Sequence, residues 1–158
     1  MTMKMNLPFC EITVSPCETE AVGRSLASLL TADGSMPRFV AMYGDLGVGK
    51  TAFVRGFCSE LCPVSSVKSP TFALVNDYKC PTVIGGIKRV YHFDMYRIAD
   101  EDDLYSIGFY DYLRPDAVCI AEWCEMIPYA LPDEYLKVSI EKVGLGDERR
   151  ITITLIGV

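Results

Sequence analysis

The segment Gly44-Asp45-Leu46-Gly47-Val48-Gly49-Lys50-Thr51 satisfies the pattern G-x-x-x-x-G-K-[ST], which wraps backbone around the phosphates of a nucleoside triphosphate. Its glycines permit positive φ, so consecutive N–H groups can curl into a nest for anionic oxygens. A following helix adds its unpaired N-terminal donors. Lys50 is the compact cation for the β- and γ-phosphates, and the Thr51 hydroxyl is placed to bind Mg²⁺. The expected nucleotide contacts are therefore Asp45, Leu46, Gly47, Val48, Gly49, Lys50, Thr51 and Ala52, with Mg²⁺ as the companion ion.

A magnesium triphosphate site takes a second contact from a carboxylate at the end of a neighbouring strand. Two acids qualify: Asp94 closes Val90-Tyr91-His92-Phe93, and Glu122 closes Val118-Cys119-Ile120-Ala121. Both are expected at the carboxyl edge where open α/β sheets bind ligands. One would serve the Mg²⁺ shell and the other would position an attacking water; the alternative for either is a solvated acid or helix cap. Thr71, in Ser69-Pro70-Thr71, is the candidate γ-phosphate sensor, against the simpler reading of a turn residue beside proline. His92, the only histidine, either packs or orients Asp94 through a hydrogen bond. Arg97 is placed for phosphate, partner or solvent, and Trp123 for covering the site, stacking on a partner or filling the core.

The elements that must position these groups read as a continuous alternation of strands and helices. A strand is expected near Phe9–Val14. Ser15 then caps a helix, with Pro16 in its first turn and Glu18 completing a capping box. Val22, Leu26, Leu29 and Leu30 give that helix one buried face, and Asp33-Gly34 ends it. A strand over Pro37–Tyr43 enters the phosphate loop. The next helix, from about Lys50 to Cys62, buries Phe53, Phe57 and Leu61. Strands are expected at Phe72–Tyr78 and Ile87–Phe93, separated by Pro81 and Gly85-Gly86, as a hairpin. Asp100–Asp103 suits the start of a helix running to Ile107, where Gly108 interrupts it. Val118–Ala121 reads as a central buried strand, and Tyr135–Val143 with Arg149–Gly157 as an antiparallel hairpin. The fold class that follows is α/β: a three-layer sandwich with a mixed, partly antiparallel central sheet, in a single domain over residues 1–158.

The chain has 158 residues, 50% of them hydrophobic, enough to enclose a substantial core. Seven cysteines without C-x-x-C spacing indicate a reducing, cytoplasmic setting in which they act as small hydrophobes. No apolar stretch approaches a membrane span. The formal net charge is −6 and no run of Lys and Arg occurs, which argues against unaided binding to DNA or RNA duplexes. Neither Asn-Lys-x-Asp nor Asp-x-x-Gly occurs, so ATP is favoured over GTP. Small-molecule kinases screen the transferred phosphoryl group with arginines on a lid, and no such insert is evident. That class remains an alternative, as does a non-hydrolysing, nucleotide-gated binding module.

Taken together, the phosphate loop, Ser69-Pro70-Thr71-Phe72, His92-Phe93-Asp94-Met95-Tyr96-Arg97-Ile98 and Ile120-Ala121-Glu122-Trp123 resemble, in order and spacing, the bacterial TsaE (YjeE) family. The departures from that family's pattern are Val48, Met95, Ala121 and Cys124, and none removes a polar functional group. The resemblance covers almost the whole chain and implies a P-loop ATPase that uses ATP/ADP and Mg²⁺. It places Thr51 and Glu122 at the metal and makes Asp94 necessary for hydrolysis. It further implies action with the TsaD and TsaB proteins in N6-threonylcarbamoylation of adenosine 37 in tRNAs that read codons starting with A. The tRNA would be contacted indirectly, through that complex. Hydrolysis would act as a switch supporting turnover, slow in isolation and stimulated by the partners.

Overall fold

The computed structural model describes residues 4–45, 47–63, 67–70 and 74–157. Seven strands form one sheet: β1 (Phe9–Thr13), β2 (Phe39–Tyr43), β3 (Val75–Ile84), β4 (Ile87–Asp94), β5 (Ala117–Glu122), β6 (Tyr135–Lys142) and β7 (Arg149–Ile156). Their order across the sheet is β1-β7-β6-β2-β5-β4-β3. The run β6-β2-β5-β4 is parallel, whereas β1, β7 and β3 pair antiparallel at the two flanks. The expected mixed sheet is therefore present, with its parallel part at the centre. β5 shows why: all six of its residues are buried, as a strand covered on both faces requires. β6 instead alternates buried and half-buried residues as far as Ile140.

Alternation along the strands divides the core into two layers. Val40, Met42, Val90, Val118, Ile120, Val138 and Ile140 face helices α1 (Pro16–Ala32) and α2 (Lys50–Leu61), meeting Leu26, Leu30, Phe53 and Phe57. Ala41, Tyr91, Phe93, Cys119 and Ala121 point the other way. There they meet Leu104 of the short helix α3 (Glu101–Ser106) and Phe109 of the 3₁₀ turn at Phe109–Tyr112. Phe93 packs edge-on to Phe109 and Tyr112, with ring centroids 5.4 and 5.3 Å apart. α1 and α2 meet backbone to backbone. A Cβ on Gly23 would lie 2.1 Å from the Phe53 carbonyl oxygen, and one on Gly56 would lie 1.9 Å from that of Glu20. The missing side chains let α2, which carries the end of the phosphate loop, seat against α1.

Several local expectations shift. The Ser15 hydroxyl accepts from the Glu18 N–H as a cap should, but the Glu18 carboxylate accepts from Val14 N at 2.9 Å instead of the cap residue's own N–H. The hairpin between β3 and β4 forms, yet β3 runs through Pro81 to Ile84. A sheet edge tolerates proline because one side of the strand needs no donors, and the pairing slips between Lys79 and Ile84. The expected start of that strand at Phe72 lies outside the described residues. Asp100 caps α3 by accepting from Asp103 N. Five cysteines are buried, but Cys10 and Cys17 are exposed and do not serve as core residues; all are free thiols. Among the described residues no helix is long and apolar enough to cross a membrane.

Candidate nucleotide-binding site

β2 ends at Tyr43 and the chain turns through Gly44 (φ +149°), Gly47 (φ +76°) and Gly49 (φ +109°) into α2. These are left-handed conformations, in which a Cβ would be strained. At Gly44 space also forbids one, since a Cβ would stand 2.6 Å from the Ile140 carbonyl oxygen on β6. Gly49 caps α2 without any side-chain acceptor, so the first-turn donors of that helix are not consumed by a cap. Ala52 lies buried in that first turn. Asp45, Gly47 and Val48 lie in the loop, with Val48 N directed at the Asp45 carbonyl, 3.4 Å away. Leu46 and Thr71 lie outside the described residues.

Lys50 is only 5% exposed. Its ammonium donates to the Gly44 carbonyl oxygen at 2.6 Å and lies 4.0 Å from the centre of the Trp123 ring. A carbonyl and an aromatic face compensate part of the cost of burying this charge. Trp123 therefore belongs to the site, and it holds an uncommon positive φ of 61° for a residue with a large side chain. Tyr96 leans on its ring with centroids 4.9 Å apart. The Thr51 and Ser69 hydroxyls are 2.8 Å apart, which brings Ser69 beside the loop.

Sheet register sets the carboxylates. Met42, two residues before Gly44, pairs with Glu122, and Glu122 pairs with Asp94. Three adjacent parallel strands thus end in one row: the phosphate loop, Glu122 and Asp94. Glu122 is 3% exposed and its Oε2 lies 2.5 Å from His92 Nε2. His92 does not orient Asp94, as one sequence expectation had it. Its register partner is Ile120, so its ring reaches the diagonal neighbour Glu122 on the next strand. Asp94 is half-buried and accepts from Tyr96 N at 2.9 Å, forming a local turn. Just beyond Trp123, burial pushes the Cys124 thiol well above its ordinary value, and nearby Glu125 and Glu122 raise it further. It is inert packing.

Arg149 was not legible from sequence. From the start of β7 its Nε donates to the Val48 carbonyl oxygen at 3.0 Å, a contact between residues 101 apart in the chain. With Ser15, Pro16, Thr19, Val48 and Ala52 it lines a cleft of about 120 Å³ flanking the phosphate loop. No local pattern singles out this arginine; the signal is a cation at the mouth of a hairpin whose partner strand β6 lies beside β2.

A family model described as "Threonylcarbamoyl adenosine biosynthesis protein TsaE" matches residues 13–151. A tRNA threonylcarbamoyladenosine biosynthesis protein TsaE from Bacillus subtilis is 38% identical over 146 residues, covering 92% of this chain and 84% of that protein. Its namesake from Haemophilus influenzae is 41% identical over 102 residues, covering 65% of this chain and 61% of the other. Among solved structures, that of Bacillus subtilis YdiB superposes with a TM-score of 0.66 at 31% identity, covering 98% of this chain and 90% of the other.

Proposed function

The chain belongs to the TsaE family of threonylcarbamoyl adenosine biosynthesis proteins, and from that premise we propose that it is a P-loop ATPase. Its switching would support repeated turnover of a TsaD–TsaB complex that threonylcarbamoylates adenosine 37 of tRNAs reading codons that start with A. The observation that carries the ATPase reading is the row of strand ends, in which the register sets Glu122 on the strand beside the one entering the phosphate loop and Asp94 one strand further along. The donor chemistry fits the expected ligands. Glycines in left-handed conformations shape a phosphate loop and the α2 donors are uncapped. The hydroxyls of Thr51 and Ser69 and the carboxylate of Glu122 are hard oxygen donors suited to Mg²⁺.

In this mechanism Lys50 exchanges the Gly44 carbonyl for phosphate oxygens, while the loop N–H groups and the first turn of α2 hold the remaining anionic oxygens. Thr51 and Glu122 would hold Mg²⁺, which when bound supplies positive charge where negative charge develops on the phosphates. Asp94, one strand beyond Glu122 and more accessible, orients the attacking water. The cleft between α1 and the β6–β7 hairpin, with Ala52 on its wall and Arg149 at its rim, receives the ribose and base. Thr71 is the proposed γ-phosphate sensor. With a net charge of −6 the chain would meet tRNA through its partners.

The test is ATP hydrolysis by the purified chain, alone and with its own TsaD–TsaB pair. Stimulation by the pair that is lost in both Lys50→Ala and Glu122→Ala is the expected result. A wild-type chain that turns over as fast alone as with the pair, or a metabolite that is phosphorylated in their place, would overturn the reading.

A further inference from the structure

Glu122 could adopt several rotamers at the end of β5, and a carboxylate that must meet a metal shell is effective only if one of them is held. His92 supplies that restraint. It is 0% exposed and sits in β4, two residues before Asp94. Nε2 is spent on Glu122 Oε2, and Nδ1 has no hydrogen-bond partner among the described residues. An ionised carboxylate only accepts hydrogen bonds, so this contact needs the proton on Nε2. The imidazole then donates to the carboxylate, leaving Oε1 as the oxygen available to the metal shell. A histidine buried with its Nε2 on a carboxylate is a poor choice for packing alone, because an aliphatic side chain would fill the same space without burying polar nitrogens.

Resting on the reading of Glu122 as a Mg²⁺ residue, we propose that His92 is the positioning residue that fixes the Glu122 carboxylate for the metal. It acts through Glu122 and touches neither nucleotide nor metal. The inference predicts a split: loss of the Nε2–H impairs metal capture in the nucleotide complex while metal-free nucleotide binding is left alone.

The experiment titrates Mn²⁺ into the complex of protein and ADP, reading free Mn²⁺ by electron paramagnetic resonance. In parallel, ADP affinity without metal is read from Trp123 emission. His92→Leu keeps bulk but removes the donor; His92→Gln keeps an N–H near the Nε2 position. His92→Leu should raise the Mn²⁺ concentration for half-saturation about tenfold or more, as lost outer-shell partners typically do. Metal-free ADP affinity should stay within about twofold, and His92→Gln should recover most of the loss. If His92→Leu does not fold, His92→Asn, whose amide reaches only the Nδ1 position, takes its place. Unchanged Mn²⁺ binding in the donor-less variant, or equal losses in Leu and Gln variants, overturns the positioning role. Glu122→Gln separates the two levels. If it too leaves Mn²⁺ binding unchanged, the metal role of Glu122 fails and this inference with it; if it weakens Mn²⁺ binding while His92→Leu does not, only this inference fails.

Discussion

Gly56→Ala sets helix propensity and packing against each other with opposite signs. Gly56 lies inside α2, where alanine is intrinsically favoured over glycine by about 1 kcal/mol. Its missing Cβ, however, would stand 1.9, 2.5 and 2.6 Å from the carbonyl oxygen, carbonyl carbon and Cα of Glu20. All three are backbone atoms within α1, so no rotamer change relieves the clash and the helices must part. Overpacking of this kind costs about 1–3 kcal/mol, and a collision with helical backbone belongs at the upper end. The net expectation is a loss of about 2 kcal/mol after the gain in propensity, or roughly 4–8 °C in Tm for a chain of this length. Urea unfolding followed by far-ultraviolet circular dichroism measures it. Gly34→Ala is the control, because no heavy atom lies within 4 Å of the added carbon. A Gly56→Ala chain as stable as wild type, or more so, would refute the account of how α2 is seated.

Lys50→Ala should weaken ADP binding roughly 10- to 100-fold, the cost of one charge-assisted hydrogen bond. Nucleotide should draw the ammonium from its place 4.0 Å from the Trp123 ring and so change that residue's emission, a change Lys50→Ala should abolish; isothermal titration and fluorescence check the two effects. Arg149→Ala removes the donor to the Val48 carbonyl and should weaken ADP binding by roughly tenfold, at about 1.5 kcal/mol for a hydrogen bond from a charged group. Alkylation of the native protein near pH 8 should label the exposed Cys10 and Cys17 first, with all seven cysteines labelled after denaturation, as read by mass spectrometry. Burial holds the Cys80 and Cys119 thiols protonated up to about 12, against an ordinary 9.0. Their contribution to stability is therefore complete below pH 9 and lost as pH rises from 9 toward 12, so the urea midpoint should fall over that window.

What the sequence revealed was local. The phosphate loop, the strand before it and the helix after it are contiguous. The acids Asp94 and Glu122 announce themselves because each terminates an apolar run, and the β6–β7 hairpin shows as two alternating segments around Gly144-Leu145-Gly146-Asp147. Hidden features depend on which strands become neighbours. Nothing in the chain says that β6 lies against β2 in parallel while pairing β7 antiparallel on its other side, yet that placement brings Ile140 against Gly44 and Arg149 against Val48. His92 illustrates the same limit at shorter range. Its proximity to Asp94 in sequence offered a hydrogen bond between them as the alternative to packing, but the strand register made Glu122 its partner. Ser69 was visible as a motif residue; its hydroxyl contact with Thr51 was not. Gly23 and Gly56 carry no signal in the sequence, because their use lies in the contact that α1 and α2 make through them.

The most direct test of the central claim is tRNA threonylcarbamoylation by the TsaD–TsaB pair under multiple-turnover conditions, with modified nucleoside counted per TsaD. The pair would be supplied with threonylcarbamoyl adenylate and unmodified tRNA, plus wild-type chain or Asp94→Asn. The account predicts many modified tRNAs per TsaD with the wild-type chain and about one or fewer with Asp94→Asn, although that variant still binds ATP. Equal multiple turnover with Asp94→Asn, or with the chain omitted, would contradict it.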